Sequence, residues 1–360
     1  MSTVNLKRFV DIDIERHIDS VLTGTRDTVV LYTPDGSSGT SKLIRSYSEA
    51  VTNYGSNANT LAYLKIFFDN AGAKVLVIEG TAYSALTADM IKALDDKYLL
   101  VAVVIPDDNI VDGYAAIKNI AVTRGTDTDI YGINEKIILA RTTSVDATTV
   151  KNFAVKYSTV PGAEMTIAAY LSKIDVYRQS TVYDYMFTEE TLGAEAVTDE
   201  VYETIINNNM NVDIDLANSI RNCGGNLKDG ADLTNTFVRI IMHQTLTDRL
   251  IELLADKIKG TIGVAKIYNV IAQELNNYLT CGYLTTDKLW TDDDLTITYN
   301  NVQYTIIAKG TPLINGYLIK VLPFDSLTAE DKVARKAPPI YVIIADQYTI
   351  RQITVNGEVI

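Results

Sequence analysis

The residues best suited to chemistry are few: the chain has two histidines, His17 and His243, and two cysteines, Cys223 and Cys281. Neither histidine has a second His, Cys or carboxylate at metal-ligand spacing. His243 lies beside Ile241 and Met242 in an apolar helical stretch and reads as a packed or capping histidine, whereas His17 reads as solvent-facing. The cysteines lack CxxC spacing, which gives no zinc knuckle or redox pair and fits a reducing compartment. The segment Gly36-Ser-Ser-Gly-Thr-Ser-Lys42 is glycine-rich and ends in lysine, but the GxxxxGK[ST] spacing that would wrap backbone amides around a phosphate is absent. It reads as a turn. Asp127, Asp129 and Gly132 have no glutamate at the twelfth position of a calcium loop, and Asp292-Asp293-Asp294 is an acidic turn ahead of a strand. No GxSxG elbow presents a nucleophile. No catalytic, metal-binding or cofactor-binding residue is therefore assigned, and the expectation is a protein that is not an enzyme and needs no cofactor.

The elements that would have to position any site alternate between strand and helix. Val10, Ile12 and Ile14 are separated by Asp11 and Asp13, a period-two pattern for a short strand with one apolar face and no partner nearby. Thr28 to Tyr32 reads as a strand, Ser46 to Tyr54 and Asn59 to Asn70 as helices, and Lys74 to Glu79 as a buried strand. Gly72 stands where a left-handed helix cap is wanted. Apolar runs at Leu99 to Ile105 and Lys136 to Ala140 flank a weak helix at Asp112 to Asn119, which points to an α/β layer with a sheet buried on both faces. Helices are expected at Val150 to Tyr157 and Met165 to Tyr170. The acid-rich and asparagine-rich stretch from Thr188 to Asn211 reads as surface near a domain junction. Two long helices follow, Leu233 to Ile258 and Val264 to Leu279, with Gly260 and Gly263 in the turn between them. The remainder is β: Leu295 to Tyr299, Gln303 to Ala308, Tyr317 to Leu322, Ile340 to Ile344 and Thr349 to Val355.

Composition narrows the partners. A chain of 360 residues with 47% hydrophobic residues can bury a sizeable core, and its length suggests more than one domain. Its net charge of -13 repels nucleic acid and anionic membranes, and the densest basic stretch, Lys332 to Lys336, sits beside Glu330 and Asp331. No signal peptide is read at the N-terminus, and no apolar run approaches the roughly 20 residues of a membrane-spanning helix. The 22 tyrosines against one tryptophan suit partly wet protein interfaces as well as ordinary core use.

Three stretches resemble contractile tail sheath proteins, the family of myophage tails, R-type bacteriocins and related injection machines. The first is Ile44-Arg-Ser-Tyr-Ser-Glu-Ala-Val-Thr-Asn-Tyr-Gly55 with Leu61 to Gly72 and the strand after it, although Ala71 replaces a glycine common in the family and the arginine often found after the strand is missing. The second is the helix pair Leu233 to Leu279 followed by Cys281-Gly282. The third, and the most specific, is Ser326-Leu-Thr-Ala-Glu-Asp-Lys-Val-Ala-Arg-Lys-Ala-Pro-Pro339, which is similar to the turn ahead of the terminal strands of one sheath branch; Lys332 stands where arginine is commoner.

The resemblance implies an α/β (α+β) multi-domain sheath-like fold with extended terminal β arms. Its expected divisions are an N-terminal arm at 1-25, an α/β outer region at 26-195, a tube-facing inner domain at 196-336 and a C-terminal arm at 337-360. It implies a subunit that stacks with copies of itself in helical rings around a tail tube protein, meets baseplate and tail terminator proteins, and belongs to a virion tail assembled in the host cytoplasm. Arm strands would be added to neighbouring subunits through Val10, Ile12 and Ile14 at one end and Ile340, Val342, Ile344, Ile350, Ile353 and Val355 at the other, with hinges near Gly24, Pro338 and Pro339. A tail tube or baseplate protein, or an α/β enzyme acting on a small molecule, are the alternatives.

Overall fold

The computed structural model describes residues 29–33, 41–80, 102–104, 137–145, 149, 152–179, 183–255 and 260–347. Its centre is an eight-stranded sheet in the order β2-β3-β1-β4-β5-β6-β7-β8. The strands are β1 (Val29–Thr33), β2 (Ser41–Ile44), β3 (Val75–Glu79), β4 (Ala102–Val104), β5 (Ile137–Thr142), β6 (Phe153–Tyr157), β7 (Asn211–Leu216) and β8 (Ser219–Cys223). From β3 through β7 neighbours run parallel, and the two outermost strands, β2 and β8, are antiparallel. Parallel strands with both faces covered need continuous apolar runs instead of alternation, which is what Val-Val-Leu-Tyr and Val-Leu-Val-Ile supply.

The two faces are filled by alternate residues of the same strands. Val29, Leu31, Val75, Val77, Ile137 and Leu139 point into one core, and Val30, Tyr32, Leu76, Ile78, Val103 and Ile138 into the other. The first core is covered by α1 (Tyr47–Tyr54), α2 (Ala58–Asp69), α3 (Glu164–Leu171), α5 (Leu233–Ala255) and α6 (Gly260–Thr280). The second is covered by α4 (Asp199–Asn207), which buries Ile205 and leans Val201, Tyr202 and Ile206 on the sheet. Local chemistry starts these helices where the chain has capping side chains. The Ser46 hydroxyl accepts from the Glu49 N–H at 3.2 Å, Asn57 accepts from the Thr60 N–H at 3.1 Å, and Thr198 caps α4.

Several expectations change in the structure. Val150 to Tyr157, read as a helix, contains the strand β6, because the buried run Phe-Ala-Val-Lys-Tyr is too short for its period to separate helix from strand. The left-handed residue after α2 is Ala71, with φ 57, not Gly72. Gly72 is required for space, since a Cβ there would stand 2.4 Å from the Phe67 ring. Gly263 lies buried inside α6 instead of in the turn before it. The β7–β8 hairpin, unread in the sequence, completes one edge of the main sheet.

Beyond α6 the chain builds small antiparallel pieces: β9 (Lys288–Leu289) with β12 (Pro312–Leu313), the hairpin β10 (Leu295–Tyr299) with β11 (Val302–Ile307), and β13 (Tyr317–Val321) with β14 (Ile340–Ile344). Asn300 and Asn301, at φ 50 and 62, form the hairpin's two-residue turn, a conformation asparagine tolerates. A short helix, α7 (Ala329–Val333), is capped by Thr328, whose hydroxyl accepts from the Asp331 N–H at 3.0 Å. Tyr317, Ile319, Ile340, Val342 and Ile344 pack against the first core, so this last sheet is joined to the main body.

Candidate functional site

Two arrangements have the geometry of a functional site, and they differ in kind. The first is the C-terminal strand pair. α7 ends at Val333, with Arg335 turned into the left-handed region at φ 57; Pro338 and Pro339 then hold the chain extended, and the β-branched run Ile-Tyr-Val-Ile-Ile that follows suits a pleated strand. β14 pairs antiparallel with β13 with Ile319 opposite Val342, and the Leu322 N–H donates to the Pro339 carbonyl at 3.0 Å. Past β14 the chain stays tied to its own subunit. The Thr285 N–H donates to Ala345 O at 2.9 Å, the Gln347 N–H to Tyr283 O at 2.8 Å, and the Ala345 N–H to Gly316 O at 2.8 Å. Gly316, at φ +74, allows this approach, because a Cβ there would meet Thr285 O at 2.7 Å.

The second arrangement is a buried ionic cluster at the end of the main sheet. Lys156 Nζ on β6 lies 2.8 Å from Asp213 Oδ1 on β7 and 3.4 Å from Glu190 Oε1. It also donates to Thr166 Oγ1 at 2.6 Å and to the Tyr185 hydroxyl at 3.0 Å, and the Tyr185 hydroxyl donates to Glu190 at 2.9 Å. Burial alone would pull the ammonium's pKa down, but Asp213 and Glu190 carry it above the ordinary lysine value. Burial raises the Glu190 carboxyl, with Lys156 opposing. Every donor of the ammonium faces an acceptor, so Lys156 is held charged and is a poor nucleophile. The cluster pins β6, β7, α3 and the Tyr185–Glu190 segment together.

Other candidate groups are accounted for by packing. His243 is buried in α5, and Cys223 and Cys281 are both buried free thiols. Burial pushes the Cys281 thiol up to about 11, away from reactivity. A cleft of about 300 Å³ lies between α5 and α6. Its buried carboxylate, Glu274, is already engaged by Tyr177 at 3.2 Å, Asn277 at 3.3 Å and Arg249 at 3.6 Å. Among the described residues no group of three or more His, Cys, Asp or Glu side chains could hold a metal ion. None of the described helices is long and apolar enough to cross a membrane.

No protein-family model matches the chain, and no curated protein matches it. Solved structures do. A chain of the anti-feeding prophage baseplate in its contracted state superposes with a TM-score of 0.59 at 12% identity, covering 98% of this chain and 99% of that one. The sheath tail protein of Listeria innocua superposes with a TM-score of 0.54 at 8% identity, covering 91% of this chain and 96% of that one. The chain has the tail sheath fold.

On that fold the expected arm residues divide. Val10, Ile12, Ile14 and Gly24 at one end, and Ile350, Ile353 and Val355 at the other, lie outside the described residues. Ile340, Val342 and Ile344 lie on β14, which already has a partner strand in its own chain and, just past its end, three backbone hydrogen bonds from Ala345 and Gln347 to the same subunit. Through Gln347 the described chain is bonded to its own subunit. Pro339 closes the β13–β14 pair and Pro338 is buried, which ties this candidate hinge down on the strand side. Sequence reading missed the ionic cluster. Its available signals were a lysine in a buried five-residue run and acids at alternate positions of Asn-Val-Asp-Ile-Asp-Leu.

Proposed function

We propose that this protein is the sheath subunit of a contractile phage-type tail, polymerising in helical rings around a tail tube and repacking to drive the tube through a host envelope. The observation that carries the reading is the agreement with a sheath tail protein over nearly the full length of both chains. The composition is compatible with it: an acidic, tyrosine-rich chain suits repeated contact with copies of itself more than binding to nucleic acid or a membrane. In this reading the partners are other copies of the chain, the tail tube, and baseplate and terminator proteins, and the protein resides in the virion tail. The segments Val10 to Ile14 and Ile350 to Val355, together with the outer edge of β14, are proposed to add to sheets of neighbouring subunits, a head-to-tail linkage that propagates instead of closing. The subunit is proposed to be without catalytic activity and to need no cofactor. A baseplate role is a second reading, favoured by the likeness to a chain of a baseplate assembly. Electron microscopy of the purified protein separates the two. Hollow, striated tubes too wide to be a tail tube are expected of a sheath, and a protein that forms only rings or stays monomeric at high concentration would overturn the sheath reading.

A further inference from the structure

The end of the main sheet buries more negative than positive charge. Arg141 on β5 and Lys156 on β6 are 4% and 0% exposed, and they face three carboxylates, Glu164 on α3, Glu190 and Asp213, that are 1%, 7% and 1% exposed. Full ionisation would leave three buried carboxylates against two buried cations, with Lys173 at the surface also acting on Glu190, and an excess of buried negative charge is unfavourable. Asp213 and Glu190 are both engaged with Lys156, and Glu190 also accepts from Tyr185. Glu164 is different. Asp213 Oδ1 also makes no hydrogen bond but has Lys156 Nζ at 2.8 Å, whereas Glu164 Oε2 is buried with no hydrogen-bond partner and is in no ion pair among the described residues, so Glu164 is the carboxylate for which a proton costs no existing contact.

We propose that Glu164 is a pH-sensitive element of the α/β layer: protonated, it sits neutral at the start of α3 beneath the sheet, and ionised, it loosens the packing of α3 against β4 and β5. The surroundings are consistent on each side. β4 brings no titratable residue, β5 brings Arg141, whose Nη1 is engaged with Ser158 O at 2.8 Å, and β6 brings Lys156. The charged pair on α2, Lys65 and Asp69, is exposed and closed on itself. The segment before α4 contributes Glu190 to the Lys156 cluster and Glu195, which accepts from Ser158 Oγ at 2.6 Å and the Thr159 N–H at 2.8 Å. α5 carries the buried Arg239 and His243, and near its start Thr234 meets Tyr170 of α3 at 2.8 Å. Burial pushes the Glu164 carboxyl up to about 7, its own backbone N–H, Arg141 and Lys156 pulling the other way.

The sign of the effect follows from linkage. The folded value lies above the unfolded one, so the protonated group's contribution is complete below the unfolded value of 4.5 and is lost as pH rises to about 7. A gap of that size corresponds to roughly a few hundred-fold in the folding equilibrium. The test compares urea unfolding of the full-length protein and of Glu164→Gln from pH 4.5 to 8. The glutamine imitates the protonated acid, so its stability relative to wild type should rise by about a hundred-fold or more across that range. A constant difference across the range would overturn the proposal. If Glu164→Gln does not fold, infrared spectroscopy of wild type labelled with ¹³C at glutamate carboxyls decides the matter. A protonated carboxyl band at pH 6 that fades by pH 8, and persists in Glu190→Gln, supports the assignment. Absence of that band at pH 6 refutes it.

Discussion

Lys156 Nζ has Asp213 at 2.8 Å and Glu190 at 3.4 Å in complete burial, so its removal leaves two carboxylates facing each other away from water. A buried pair is weak evidence of net stabilisation, but breaking one by deleting a partner costs about 3–5 kcal/mol. Lys156→Met should therefore destabilise the folded protein by about that amount in urea unfolding at pH 7. The deficit should shrink on acidification, because Glu190, whose carboxyl burial raises, then takes up a proton and the charge left unpaired is reduced. The triple replacement Lys156→Met, Asp213→Leu, Glu190→Leu should recover a large part of the loss, since it removes both the charges and their desolvation cost. None of this was legible in the sequence. A lysine in Phe153-Ala-Val-Lys-Tyr157 shows nothing of partners that arrive from β7 and from the segment before α4: the parallel register of β6 with β7 brings up Asp213, and Glu190 is held by its N–H, which donates to Ile220 O of β8 at 3.0 Å.

At the scale of elements, the structure separates what a one-dimensional pattern can carry from what it cannot. The runs Val29–Thr33 and Val75–Glu79 were readable because burial on both faces demands uninterrupted apolar residues, and the two long helices because their apolar stripes repeat over many turns. The β7–β8 hairpin was not, because its turn is Ala217-Asn218 at φ 54 and 65, and an alanine in a left-handed position hides the signal that Asn300-Asn301 displays openly. The end of α2 illustrates the same limit: a glycine was rightly marked there, for the wrong reason. Phe67 is fully buried and stands edge-on to Phe68 at 5.1 Å, so its ring has nowhere to swing when a methyl is added at Gly72. Gly72→Ala should cost about 1–3 kcal/mol and lower the melting temperature, while Gly193→Ala, where nothing stands within 4 Å, should leave it nearly unchanged. Equal effects from the two substitutions would show that space at Gly72 is not the constraint. The terminal segment gives a second test at this scale. Deleting 337–360 removes β14, whose Ile340, Val342 and Ile344 pack on the main core, and should give a destabilised chain with exposed apolar surface. Deleting only 348–360 keeps every backbone bond described through Gln347, and should give a folded protein by circular dichroism and melting.

For the whole molecule, the continuity of one core matters most. Residues from the main sheet, from α5 and α6, and from β13 and β14 belong to a single apolar cluster, which favours a subunit that moves as one body over one that bends internally. If such subunits form a sheath, shortening of the assembly has to come from repacking between them, with the terminal strands keeping neighbours linked. Each augmented strand of about five residues would form several backbone hydrogen bonds worth roughly 0.5–1.5 kcal/mol each, whereas exposed lateral ion pairs contribute at most about 1 kcal/mol. The strand links would therefore outlast the lateral contacts as the packing changes. The energy for the change would be stored at assembly, with no nucleotide consumed. Two outcomes are expected from this mechanism. The 348–360 deletion and Ile12→Asp should each yield folded monomers that do not polymerise. Purified extended tails should contract in nucleotide-free, chelator-treated buffer with the fold of the subunit core unchanged. Normal tubes from either variant would remove the arms from the mechanism. A requirement for ATP, or a core that rearranges between the two states, would remove the rigid-body repacking itself.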